Sequence, residues 1–142
     1  GVSAPASAKS KGYVFKYKGV SVTMNGAAKK LIKKAGKPSK KTVKKSCAYK
    51  GKDRTYTYKD FQLKTYSKTN NGAEYVSEIR FRSNKAVTKE GIRIGSSLKD
   101  VTKKYGKAKA RFGVYTFKKG SSKLQIMLNG NKVSAIRYFA SK

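Results

Sequence analysis

Val76-Ser77-Glu78-Ile79-Arg80-Phe81 returns as Val133-Ser134-Ala135-Ile136-Arg137-Tyr138. Upstream of the two copies stand Phe61-Gln62-Leu63 and Leu124-Gln125-Ile126, and before those Tyr56-Thr57-Tyr58 and Tyr115-Thr116-Phe117. Three matched pieces in the same order read as a duplicated unit rather than as strands alike by chance. Such a reading sets an architecture and leaves the activity open.

Working outward, alternating side chains predict strands at residues 46–49, 54–58, 61–67 and 74–82, and again at 111–118, 123–129 and 132–139. Lys59-Asp60, Asn70-Asn71-Gly72 and Asn129-Gly130 supply the turns. In the first half, a short strand over 13–17 is followed by Gly19-Val20-Ser21-Val22 and by Thr23 or Asn25, either of which would cap a helix over about 26–35. Gly36 stops that helix, Pro38 follows, and the Lys-rich stretch 37–46 reads as loop. In the second half, Gly91-Ile92-Arg93-Ile94-Gly95 leads to Ser97 as a helix cap with Asp100 three residues on. Leu98, Val101 and Tyr105 form the buried stripe, and Gly106 ends it. The expected fold is α+β: a tandem duplication in which each unit packs one helix on an antiparallel meander, the two together forming a curved antiparallel sheet with helices on one face. Residues 1–11 read as a flexible N-terminal tail and 12–142 as a single domain of two repeats, 13–83 and 85–141.

Strand alternation assigns the faces. Tyr56, Tyr58, Phe61, Leu63, Ile79, Phe81, Leu124, Ile126, Leu128, Ile136 and Tyr138 point to the helices. Gln62, Lys64, Tyr66, Arg80, Gln125, Met127, Arg137 and Phe139, with Glu78 and Ala135, point away and form the candidate binding face. Arg80 and Arg137 hold equivalent places, and a guanidinium offers a fixed fork of donors to carboxylate or phosphate. The plainer role for either is a surface pair with Glu78.

Lys and Arg total 36 against six acids, a formal net charge of +30, with no His. A field of this size favours polyanions: nucleic acid, anionic lipid or phosphate-bearing wall polymer. Lys29, Lys30, Lys33, Lys34, Lys40, Lys41, Lys44 and Lys45 suggest a basic ridge along the first helix and its exit loop, able to track phosphates. A solvated face on a basic exported protein is the alternative. The segment Val2-Ser3-Ala4-Pro5-Ala6-Ser7-Ala8-Lys9-Ser10-Lys11 has the small, polar character of the start of a mature exported chain, with a frayed cytosolic end as the alternative.

The chemistry of a catalyst is thin. Without His the commonest general base is missing. Cys47, between Lys45 and Lys50, is a candidate nucleophile, but a small core strand residue is the better reading. Asp53, Asp60, Glu74, Glu78, Glu90 and Asp100 have no evident reason to share a site, and metal-ligand spacing is lacking. Catalytic, metal and cofactor sites are therefore expected to be none. Lys11-Gly12-Tyr13-Val14-Phe15-Lys16-Tyr17 partly resembles the aromatic strand of RNA-binding RRM domains, but Val14 replaces the small residue, Lys16 interrupts it, the segment is one residue short and the elements that follow are in the wrong order.

Gly91-Ile92-Arg93-Ile94-Gly95 with Val101 and Tyr105-Gly106-Lys107, and more faintly Gly19-Val20-Ser21-Val22, Leu31-Ile32 and Ala35-Gly36-Lys37-Pro38, resemble the repeat of the β-lactamase inhibitor protein fold and of the SmpA/OmlA outer-membrane assembly lipoproteins. The resemblance spans 13–141. It implies a secreted or envelope-located, non-catalytic protein whose concave sheet holds a protein partner. The inhibitor's aromatic surface with Trp and His, and its disulfides, have no counterpart in a chain with no Trp, no His and one Cys, so the resemblance implies the fold rather than the inhibition.

The expected function is that of an exported, non-enzymatic binding protein of a Gram-positive-type cell envelope. It is monomeric, retained by charge on anionic wall polymer or membrane surface, and binds a protein on its exposed sheet face. The alternatives are a nucleic-acid-binding protein and a protein inhibitor or assembly factor.

Overall fold

The computed structural model describes residues 12–141; the tail expected over 1–11, with its export-like segment, lies outside the described residues. In chain order the elements are β1 (Val14–Tyr17), β2 (Val20–Thr23), α1 (Lys29–Ala35), β3 (Lys40–Lys45), β4 (Lys52–Thr57), β5 (Phe61–Ser67), β6 (Glu74–Phe81), α2 (Leu98–Tyr105), β7 (Val114–Lys119), β8 (Ser122–Asn129) and β9 (Lys132–Ala140). Seven strands form one antiparallel sheet in the order β3-β4-β5-β6-β9-β8-β7, and β1-β2 is a separate hairpin. The fold is thus α+β and mostly antiparallel sheet.

One face of the sheet is closed. Tyr56, Tyr58, Phe61, Leu63, Ile79, Phe81, Leu124, Ile126, Ile136 and Tyr138 are buried there, with Leu128 packed at the edge of the cluster. Leu31 of α1 and Val101 of α2 are buried against the same cluster. Between them the β1-β2 hairpin lowers Phe15 onto the sheet, its ring 5.3 Å from Phe61, 5.5 Å from Phe81 and 6.3 Å from Tyr138. Edge-to-face and tilted aromatic pairs at these separations add to the burial of their area.

Two sets of local contacts match across the chain. Asn25 N–H donates to the Val76 carbonyl at 2.7 Å and Val76 N–H to the Gly26 carbonyl at 2.9 Å; Gly95 N–H donates to Val133 and Val133 N–H to Ser96, both at 2.8 Å. A β-bulge follows each clamp. Between buried Val76 and Ile79 the two residues Ser77 and Glu78 stand opposite Lys64, and between buried Val133 and Ile136 the two residues Ser134 and Ala135 stand opposite Met127. Ser77 Oγ donates to the Lys64 carbonyl at 3.1 Å and Ser134 Oγ to the Met127 carbonyl at 3.3 Å.

Several expectations are corrected. Residues 40–45 are not a loop but the edge strand β3, exposed along its whole length and paired to β4. Adjacent residues of a strand face opposite ways, so Lys40 and Lys44 join the open face, whereas Lys41 and Lys45 lie on the helix side. The eight lysines Lys29, Lys30, Lys33, Lys34, Lys40, Lys41, Lys44 and Lys45 therefore do not make one ridge along a helix and its exit loop. Residues 46–49 are turn rather than strand, and Cys47 is exposed, not a core residue. The cause is Ser46: its side chain turns inward and accepts the N–H groups of Ala48 and Tyr49, both at 3.2 Å, which throws Cys47 outward. Neither Thr23 nor Asn25 caps α1; Ala28 holds that position without a side-chain bond, while Ser97 caps α2 by accepting Asp100 N–H at 3.1 Å.

Candidate functional site: the open face of the sheet

The face away from the helices carries the residues that alternation assigned to it. The central strands β6 and β9 pair so that Arg80 stands directly opposite Arg137. Two cations at cross-strand distance repel, and Glu78 sits between them. Its Oε1 is 3.2 Å from Arg137 Nη1 and its Oε2 is 3.6 Å from Arg80 Nη2.

The two guanidiniums are held very differently. Arg137 also donates from Nε to Gln125 Oε1 at 2.7 Å and lies 4.5 Å over the Phe139 ring, so it is fixed on three sides. Among the described residues Arg80 has only the longer Glu78 contact, and its side chain is 54% exposed. Gln62, opposite Arg80, donates instead to Thr57 Oγ1 at 3.0 Å. Arg80 therefore keeps most of its donor fork for a ligand. Beside the pair opens a shallow cleft of about 340 Å³, lined by Arg80, Gln125, Met127, Ala135, Ile136 and Arg137. With Met127 44% exposed, the cleft offers an apolar wall next to a cation. A carboxylate or phosphate on a short apolar stem suits that combination.

Farther along the face, Lys64 and Tyr66 border a second cleft with Lys44, Asp53 and Tyr49. Tyr49 stacks on Tyr66 with centroids 5.1 Å apart, and Tyr75 leans on Tyr66 at 5.6 Å. Tyr66 hydroxyl donates to Asn25 Oδ1 at 3.0 Å, which ties this cluster to the turn before α1. The eight candidate face residues thus fall into two groups: Arg80, Gln125, Met127, Arg137 and Phe139 at the centre, and Lys64 and Tyr66 toward β3, with Gln62 turned to Thr57 between them. Tyr49 and Lys44 are members that alternation did not supply, since both lie in the stretch misread as loop and strand.

Carboxylates are mostly engaged within the protein. Glu74 Oε1 accepts from Tyr56 at 2.6 Å and Thr65 at 2.7 Å, Glu90 from Tyr105 at 2.6 Å, and Asp60 from Ser83 at 2.7 Å. Burial, reinforced by the hydrogen bond to a carboxylate, holds the Tyr56 and Tyr105 phenols far above the usual tyrosine range. Among the described residues no group of three or more Cys, Asp or Glu side chains is placed to hold a metal ion. The aromatic strand that partly resembled an RNA-binding motif is spent on the core, with Phe15 fully buried and Tyr13 nearly so, which leaves those rings no face for a base.

In comparisons with protein-family models, with curated proteins and with solved structures, nothing matches this chain.

Proposed function

We propose that this is an exported, non-catalytic binding module of the cell envelope, held by its charge on anionic wall polymer or membrane surface and using its open sheet face for a protein partner. One observation carries the reading. The two contacts of Glu78 are the only ion pairs among the described residues, while the chain carries +30. Apart from Arg80 and Arg137, the Lys and Arg side chains of the described residues therefore surround a closed apolar core without a carboxylate partner, and their charge is balanced by anions from outside. Every such group that meets a polymer phosphate releases a counterion, which gives affinity without sequence or shape selection. Four of the six carboxylates hold hydroxyls or guanidiniums, which argues against an acid–base pair at a shared site.

We also read the architecture as a tandem duplication of the β-lactamase inhibitor and SmpA/OmlA kind, one helix to each unit. The matched clamps and bulges support it, and so does the register at the sheet's centre. With the β6–β9 ladder centred on the Arg80–Arg137 pair, Ile79 and Ile136 hold equivalent places on the two strands, as do Phe81 and Tyr138, the same correspondence that the repeated hexapeptide gives.

Retention on purified cell walls with duplex DNA as competitor tests the ligand class. The proposal expects the protein to stay on the walls at physiological salt; transfer to the DNA would make nucleic acid the ligand. The double variant Arg80→Glu/Arg137→Glu tests the face. Each substitution removes two units of charge, and the two together leave +26 of the original +30, so wall retention should persist while a protein partner recovered with the wild type is lost. Equal recovery of that partner by the variant would take the central face out of the account.

A further inference from the structure

Phe112 is 98% exposed, whereas the other exposed large apolar side chains, Val43, Tyr49 and Met127, are about half covered. It stands at the tip of a two-residue turn. Arg111 and Val114 exchange both backbone hydrogen bonds, at 3.0 and 3.1 Å, and the residues between them have φ of 55° at Phe112 and 76° at Gly113. This is the pattern of a type I′ turn, whose first central position favours Asn, Asp or Gly. A bulky aromatic residue there is strained, and a strained residue in a tight turn is a reason to look for function. The surroundings are cationic. Residues 101–142 contain eleven Lys and Arg and no Asp or Glu. Lys109 and Arg111 share with Phe112 a cleft of about 440 Å³ that also takes in Val114, Thr116 and Gln125.

We infer that Phe112 is a membrane-insertion tip: its ring enters the boundary between headgroups and acyl chains of an anionic bilayer, while Lys109 and Arg111 meet lipid phosphates in the adjoining cleft. This rests on the proposed retention at an anionic envelope surface and names the membrane as the surface this end of the molecule contacts. The apolar ring selects among polyanions. A wall polymer of sugars and phosphates has no hydrocarbon to receive a phenyl group. A bilayer interface accepts aromatic rings at headgroup level and rewards each nearby cation about fivefold in binding.

The chain has no tryptophan, so Phe112→Trp reports from one site. Mixed with vesicles of phosphatidylglycerol and phosphatidylcholine in equal parts, its emission should shift to the blue and be quenched by bromine-labelled acyl chains. Phe112→Ser should bind the same vesicles about tenfold more weakly than the wild type. Its retention on lipid-free purified walls should be unchanged, and far-UV circular dichroism checks that the turn change leaves the fold intact. No blue shift with these vesicles, or equal vesicle binding by Phe112→Ser and wild type, overturns the inference, and unimpaired wall retention in the same experiment leaves the envelope reading standing. A response of the Trp variant to duplex DNA but not to vesicles also overturns it. A blue shift with vesicles but no retention on walls upholds the tip and removes the wall polymer as a ligand.

Discussion

At Phe112 the local rule and the residue disagree. An L-residue with a Cβ at positive φ costs about 1–2 kcal/mol, and nothing in the fold recovers that from a side chain standing in solvent. Phe112→Asn should therefore stabilise the protein by about 1 kcal/mol in urea unfolding; a variant no more stable than the wild type would show that the turn is not strained. Phe15 is the opposite case, since its fully buried ring joins the hairpin to three sheet aromatics. Phe15→Ala should cost about 3–5 kcal/mol, and a loss below 1 kcal/mol would mean the hairpin is not part of the cooperative core. Cys47 was illegible in the sequence because its placement depends on the neighbouring Ser46, whose inward hydroxyl satisfies two amides and turns the chain. Its thiol should react with a maleimide in the native protein at the rate of an unfolded control; strong protection would contradict the exposed placement. Arg80 and Arg137, by contrast, were legible, because alternation at period two puts both on the face opposite Ile79 and Ile136.

At the scale of elements, strands β5, β6, β8 and β9 could be read closely, since long alternating runs between turn residues leave little freedom of register. Their bulges could not. Strict alternation would send Val76 and Val133 to the open face, yet both are buried, because the extra residue in each strand resets the phase. Strand β3 was missed for a different reason. KKTVKK has no apolar face to bury, and it is a strand only because β4 offers it hydrogen bonds at the sheet edge. Lysines on both sides of an edge strand discourage pairing with another copy. The turn that leads from β3 to β4 rests on Gly51, where a Cβ would lie 2.1 Å from the Ser67 carbonyl oxygen. Gly51→Ala must push backbone against backbone and should lower stability by about 1–3 kcal/mol. A neutral outcome would show that this turn can shift without disturbing β5.

At the scale of the whole molecule, charge and burial act in opposite senses. Burial, and then the nearby Glu74, push the Tyr58 phenol up to about 12, and burial likewise raises Tyr13, Tyr56, Tyr66, Tyr105 and Tyr138 above the ordinary value near 10. A group whose folded value is raised favours the folded state fully below its unfolded value, and that contribution is lost as pH rises through the folded value. Stability should therefore hold up to about pH 10 and fall between there and pH 12, with the buried phenols ionising only as the protein unfolds. Tyrosinate absorbance that rises while the circular dichroism stays native would contradict this placement of the rings.

The central claim, that uncompensated cations on a closed core hold this protein to an anionic surface, is tested most directly by a salt titration of its retention on purified envelope. The account predicts a logarithm of binding constant that falls linearly with the logarithm of salt concentration, by an amount set by the number of phosphates engaged. Retention unchanged from low to high salt, or no retention at low salt, would contradict it.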